Sequence, residues 1–341
     1  MFLLLVGCVK QWLFAQLPQP LAPEASPPAG LVGLSAETCA ACHVEIAAEW
    51  RASRMSRAWT DPVFQADWAA NGRLYACLYC HTPMVEQRDE RVTGLASLRP
   101  LRGAGEPNPT FDASLREEGV TCVACHLAGE AIAGPHGLAA PHATVRVEGF
   151  AGAERCVGCH QVDGPPLSRL RRPIADTHGE WEGWRAATGR SETCTDCHME
   201  AVERPLVAGG PARPGRRHTF HGAWSDAMVR AGVEVRAEAG AVVLVNLAGH
   251  NTPTADPARA VEVTGTWPDG TERTTWIERV VALPEMVERS DTTLRPGETR
   301  AVALPGATRA RVVFHRLRNL PELRAHADAP TEVTLWEGSL P

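Results

Sequence analysis

Hydrophobic and polar positions are organised differently along the two parts of this chain. Beyond residue 225, short apolar runs rich in Val, Thr and Trp occur at 232–237, 241–247, 260–267, 272–281, 299–304, 310–317 and 331–337. Runs of this length and composition read as strands. Several are separated by turn chemistry, notably Pro268-Asp269-Gly270 and Arg295-Pro296-Gly297, where proline presets one dihedral and glycine frees the next. Seven strands in one small cysteine-free region predict an all-β sandwich domain of immunoglobulin or fibronectin-like type over 226–341.

Before that region the pattern is sparse. Apolar Val44, Ala47, Ala48 and Met55 predict a helix over 44–59. Segment 88–115 is polar, rich in Gly and Pro and without periodicity, which predicts a surface loop. Pro18, Pro20, Pro23, Pro27 and Pro28 make 9–35 an extended tether. The apolar run Met1 to Gly7 is short, and nowhere do the roughly 18 apolar residues of an ordinary transmembrane helix occur together.

What organises residues 36–225 is a repeat of another kind. Cys-x-x-Cys-His occurs five times: Cys39, Cys42, His43; Cys77, Cys80, His81; Cys122, Cys125, His126; Cys156, Cys159, His160; and Cys194, Cys197, His198. Structural zinc or a disulfide framework also uses paired cysteines. Yet only 13 of 341 residues are histidine, so a His after all five pairs by accident has a chance on the order of 10⁻⁷. A thioredoxin-like motif needs one such pair on a βαβ unit. The pattern attaches c-type haem, with two thiols added to the porphyrin vinyl groups and the imidazole as proximal iron ligand. Five c-type haems are expected. Their motifs begin 34 to 45 residues apart, leaving little chain for a conventional core. The expected fold there is a mostly α and irregular multihaem domain whose core is the haems, unfolded without them.

Composition changes this picture little. The chain has 44% hydrophobic residues and a net charge of −6, which gives no reason to expect nucleic acid as a partner. Ten tryptophans stand against two tyrosines, and Trp50, Trp59, Trp68, Trp181, Trp184 and Trp224 fall in the haem-bearing part, where they suit porphyrin packing or ordinary core packing. Tyr75 and Tyr79 flank the second motif and read as packing residues.

The first motif is followed by Glu49, Trp50 and Ser53. Downstream stand His81-Thr82-Pro83, Gly119-Val120-Thr121 before Cys122, Thr177-x-x-Glu180-Trp181, His198-Met199 and His218-Thr219-Phe220-His221-Gly222. Together these resemble multihaem cytochromes of the cytochrome c-554 type, over about Ala36 to Ala223. The resemblance implies closely spaced haems, mostly bis-His ligated, moving electrons outside the cytoplasm. It implies distal ligation by His218 and His221. Where relatives commonly carry histidine this chain has Met55, a thioether ligand that would raise one haem's potential, or a flexible filler. His136 and His142 lie in a Gly/Pro-rich loop able to approach an iron, and His178 is a further candidate. His315 and His326 read as structural or exposed. Gly249-His250-Asn251-Thr252-Pro253-Thr254 resembles a loop of sandwich domains attached to bacterial multihaem cytochromes, which implies His250 as a ligand reaching from the sandwich to a haem.

Leu5-Val6-Gly7-Cys8 resembles a bacterial lipobox, with Cys8 the lipidated residue. The seven residues before it carry no Lys or Arg, so 1–8 reads as a lipoprotein signal whose true start lies upstream. Export to the periplasm or outer membrane follows, with redox proteins or a membrane quinol-oxidising complex as partners and a lipid tie to the membrane. An electron relay with no substrate of its own is the leading expectation. The alternatives are an oxidoreductase with one open iron, of nitrite reductase or hydroxylamine oxidoreductase type, acting on a small nitrogen or sulfur compound, and a self-associating haem filament. No Cys-x-x-Cys-Lys of the five-haem nitrite reductases is present.

Overall fold

The computed structural model describes Trp12 and residues 25–98, 101–164, 168–282 and 285–341. Cys8, the signal and most of the tether lie outside the described residues. The chain forms two compact units: Met1–Cys159 with Glu192–Phe220, and His160–Ser191 with His221–Pro341. This differs from a single cut near 225, because the segment between the fourth and fifth motifs belongs with the second unit.

The first unit is assembled from short pieces. Helices α1 (Ala36–Ala40), α2 (Val44–Ala52), α3 (Pro62–Ala70), α4 (Leu78–His81), α5 (Ala113–Glu117), α6 (Cys122–His126), α7 (Glu154–His160) and α9 (Cys194–His198) are nine residues long at most. The unit boundary falls at the end of α7. Small sheets lie between them: a hairpin of β1 (Glu90–Leu98) and β2 (Leu101–Pro107), a three-stranded sheet of β3 (Leu127–Ala128), β4 (Ala131–Gly134) and β5 (Thr144–Arg146), and a hairpin of β6 (Ala201–Pro205) and β7 (Ala212–Arg216). The β1–β2 hairpin stands where sequence predicts a loop. Its strands carry Gly94, Gly103 and Gly105 and two register irregularities, so the alternation that marks a strand is erased. Helix α2 stops at Ala52, short of the predicted 59. Ser53 leaves the helix in extended geometry and its hydroxyl bonds Trp50 O, while the Ser56 hydroxyl bonds Arg51 O and Ser53 O. Hydroxyls competing for the last-turn carbonyls in this way end a helix. The apolar cluster gathered here is small: Leu34, Met84, Leu115 and Val123. The described end of the Pro-rich stretch is tied down, with Ala25 N donating to Glu86 and Ala29 O accepting from Ala143 N.

The second unit has the conventional core. A five-stranded antiparallel sheet runs β12 (Val287–Asp291), β11 (Glu272–Ala282), β10 (Ala260–Thr266), β14 (Arg309–His315), β15 (Glu332–Ser339), and a three-stranded one runs β13 (Thr299–Ala303), β9 (Ala241–Asn246), β8 (Val233–Glu238). All seven predicted strands are present, and β12 is added. Val261 and Val263 of β10, Ile277 of β11, Val312 and Phe314 of β14, and Val242 and Leu244 of β9 bury into one shared cluster. Period-two side-chain placement puts Glu262 and Thr264 on the opposite face of β10. Strand β12 reads Val-Glu-Arg-Ser-Asp, and its Glu288 is buried against Arg279 at 3.0 Å. The same Arg279 donates to the carbonyls of Arg172, Pro173 and Ile174, which draws the inter-motif segment into this unit. Helix α8 (Thr177–Thr188) follows that segment, and α10 (Asp226–Gly232) leads into β8. Among the described residues no helix is long and apolar enough to cross a membrane.

Candidate functional site

Cys, Cys and His at i, i+3 and i+4 fall on one face of a helical turn. Each of the five motifs adopts such a turn. His43 N bonds back to Cys39 O at 2.9 Å, the second motif runs from a 3₁₀ turn at Tyr75–Cys77 into α4, and the other three lie on α6, α7 and α9. Thr193 and Asp196 cap α9 reciprocally. None of the ten motif cysteines, all among the described residues, is joined in a disulfide. Thiols of different motifs hydrogen-bond one another: Cys39 with Cys122, Cys80 with Cys159, and Cys156 with Cys194. Burial pushes the Cys77 thiol up to about 11, and Cys156 draws Cys194 down to about 7.

The histidines are oriented through one ring nitrogen. Nδ1 of His43 lies 2.9 Å from Leu206 O, that of His81 2.5 Å from Ala58 O, and that of His126 2.8 Å from Ala133 O. His142, His218 and His250 follow the same rule, on Ala143 O at 3.3 Å, Arg216 O at 3.0 Å and Asn251 O at 2.9 Å. A carbonyl accepts, so Nδ1 carries the proton and Nε2 keeps the lone pair that a metal needs. Burial also disfavours the charged ring. It lowers the pKa of His81 and His126, and takes His218 down to about 4.

Two pairs of these rings face one another. His43 and His142 have centroids 6.5 Å apart at 54°, and His126 and His218 have centroids 6.2 Å apart at 26°. A metal held between two imidazole nitrogens at about 2.0–2.1 Å each sets the centroids roughly 6 Å apart. The separation of both pairs matches that of two imidazoles sharing one metal. Exposed Val44, beside His43, and Val145, near His142 in sequence, offer apolar surface of the kind a porphyrin covers.

Glu49 ties this region together. Its carboxylate takes both Arg204 amino groups at 2.7 and 2.8 Å, Arg217 at 2.9 Å and the His218 backbone N–H at 2.9 Å. Burial alone would raise its pKa, and the bonds from Arg204 and His218 N hold it below the ordinary glutamate range. Glu49 thereby fixes the strand end from which His218 projects. Leu206, whose carbonyl holds His43, directly follows β6 with its Arg204.

The remaining candidates are placed differently. His81 stacks flat on Phe64, centroids 3.5 Å apart, and among the described residues no imidazole faces it. Met55 sits half-buried in the turn after α2, where its carbonyl accepts from Ala58 N and Val120 N. His136 is exposed, with Nε2 3.4 Å from Pro214 O. His178 lies on α8, 3.7 Å from Glu182 and packed on Trp181. His250 belongs to a loop pinned within the second unit: Asn246 donates to His250 O at 2.8 Å, and Glu180 accepts from Asn251 N and the Thr254 hydroxyl. His160, His198 and His221 all have interaction partners. His315 is structural, held by Glu262 at 2.8 Å and near Glu332 at 3.2 Å. Tyr75 and Tyr79 pack edge to face, as packing residues should. Sequence reading named Glu49 only as part of a motif and missed Leu206 and Ala133, whose contributions are backbone carbonyls and leave no side-chain signature.

No family model matches the chain, and no curated protein matches it. Among solved structures, the chain is similar to a penta-heme cytochrome c552 from Thermochromatium tepidum, with 20% identity and a TM-score of 0.61 over 92% of this chain and 100% of that one. Neither unit alone makes up 92% of the chain, so the likeness of fold runs through both.

Proposed function

We propose that this chain is an exported electron-transfer protein that holds five c-type haems, most of them ligated by two histidines. Cys39 and Cys42, Cys77 and Cys80, Cys122 and Cys125, Cys156 and Cys159, and Cys194 and Cys197 would carry the thioethers, with His43, His81, His126, His160 and His198 proximal. The observation that carries the reading is the facing of His43 by His142 and of His126 by His218 at 6.5 and 6.2 Å, each ring held through Nδ1. On this reading His142 and His218 would be the distal ligands of the first and third haems. Haem supplies a one-electron Fe(III)/Fe(II) couple whose potential the ligands and burial set. The chain's own residues orient the imidazoles, keep them neutral and exclude water. The penta-heme cytochrome with the same fold supports the count of five. Export, a lipid on Cys8, the immunoglobulin-like character of the two-sheet unit, and donors or acceptors among redox proteins or a quinol-oxidising membrane complex belong to the same proposal.

The test is expression of the full chain with haem-attachment machinery, a count of covalent haem per chain, and low-temperature electron paramagnetic resonance. His142→Ala and His218→Ala should each convert one haem equivalent from low to high spin. A chain that takes up no covalent haem, or variants that keep every haem low-spin, would overturn the reading.

One observation favours a second reading, an oxidoreductase with an open iron. His81 stacks on Phe64, with no imidazole opposite among the described residues. A wild-type high-spin signal of one haem that persists in both variants would favour it, and turnover of nitrite or hydroxylamine would then be measured.

A further inference from the structure

Four arginines are buried among the described residues: Arg88, Arg204, Arg279 and Arg316, each 7% exposed or less. A guanidinium out of water is costly unless both its charge and its hydrogen bonds are met. Three of them meet a carboxylate, Arg204 with Glu49 at 2.7 Å, Arg279 with Glu288 at 3.0 Å and Arg316 with Asp226 at 2.6 Å. Arg88 has no carboxylate within ion-pair distance among the described residues. Its Nε and one terminal nitrogen donate to the carbonyls of Thr82 and Pro83 at 3.1 and 3.2 Å, and its guanidinium lies 4.7 Å over the Tyr79 ring. Glu86 acts on it only from a distance and accepts instead from Ala25 N at 2.6 Å. Burial pulls the Arg88 pKa down to about 10, the direction expected of a cation lacking a counter-ion.

The side-chain contacts of Arg88 lie in the second motif and directly after it. Tyr79 lies between Cys77 and Cys80, and Thr82 and Pro83 follow His81. The unpaired cation is thus held against the loop whose two thiols would anchor a porphyrin. Haem brings two propionate carboxylates, and a planar guanidinium matches a carboxylate with two parallel bonds. We infer that Arg88 is the counter-ion of a propionate of the haem attached at the second motif and raises that haem's reduction potential. Neutralising a nearby negative charge favours the ferrous state, which carries one positive charge fewer on the iron. The inference rests on the haem-binding reading above.

The experiment compares haem-loaded wild type, Arg88→Gln and Arg88→Lys, each first assayed for covalent haem per chain. Wild type without covalent haem would defeat the underlying reading, separately from this inference. With haem loaded, Arg88→Gln should move one midpoint in a spectroelectrochemical titration to more negative potential and leave the others in place. Arg88→Lys keeps the charge and loses the fork. It should retain most of that midpoint while shifting the propionate bending band of the resonance Raman spectrum, and it serves as the deciding variant if Arg88→Gln does not mature. Unchanged midpoints in Arg88→Gln, or an unchanged propionate band in Arg88→Lys, would overturn the inference. So would a wild-type midpoint that moves on adding chloride or nitrite and stops responding in Arg88→Lys, since Arg88 would then be taking a free anion.

Discussion

Among the described residues, the second unit gathers fifteen buried residues into one apolar cluster between two sheets, whereas the cluster around Met84 in the first gathers four. Buried charge follows this division in part. Arg279 and Arg316 of the second unit and Arg204 of the first find carboxylates, whereas Arg88 of the first, among the described residues, finds carbonyls and a ring. One region is complete as polypeptide. The other carries ten motif thiols outside any disulfide, imidazoles held through Nδ1, and a buried guanidinium with no carboxylate at ion-pair distance among the described residues, groups that the proposed haems would engage. The contrast teaches that a chain with an ordinary overall apolar content can still contain a unit unable to bury enough surface by itself.

Withholding haem is the largest challenge to that contrast. The full chain expressed without haem-attachment machinery should lose residues before about 160 to limited proteolysis and be nicked within 192–220, while 160–191 and 221–341 survive together, as mass spectrometry would report. Equal resistance of both units would abolish the distinction. A smaller effect comes from Leu244, fully buried in β9. Leu244→Ala should destabilise the second unit by about 2–5 kcal/mol, read by denaturant titration of the haem-loaded protein, with the haem spectra unchanged at low denaturant.

The smallest effect concerns Glu262. Burial would raise its pKa, but bonds from Thr264 and His315 hold it below the ordinary value. A depressed carboxylate contributes stability above its unfolded pKa of about 4.3, and that contribution disappears as pH falls through the lower folded value. The second unit should therefore weaken below about pH 4.3, and Glu262→Gln should flatten that part of the stability profile. An identical acid limb in the variant would remove Glu262 from the account.

The strands of the second unit were legible because Val261, Val263, Val312 and Phe314 obey a period of two and their turns carry Pro and Gly. Strand β12 was not, since Glu288-Arg289-Ser290-Asp291 reads as polar and Glu288 is buried only through Arg279. The motifs were fully legible, because attachment chemistry dictates their spacing. The ring pairs were not. His142 reaches His43, and His218 reaches His126, through tertiary contacts that no local pattern encodes, and the carbonyls of Leu206 and Ala133 carry no residue-type signal. The β1–β2 hairpin was hidden by its glycines. Arg88 looked like one more polar residue at the edge of an aperiodic stretch, and only burial separates it from the rest.

The first unit is interrupted, since residues 192–220 return to it after 160–191 have joined the other. That late segment supplies Leu206 O to His43 and the ring facing His126. A chain is made and delivered from its N-terminus. The first and third motifs therefore emerge well before the residues that complete their surroundings, and a nascent chain stopped just short of residue 206 would own all five Cys-x-x-Cys-His motifs while lacking the carbonyl that holds His43 and the ring that faces His126. On the haem-binding reading, maturation of this unit becomes a matter of timing, with the late hairpin of β6 and β7 closing around motifs made before it.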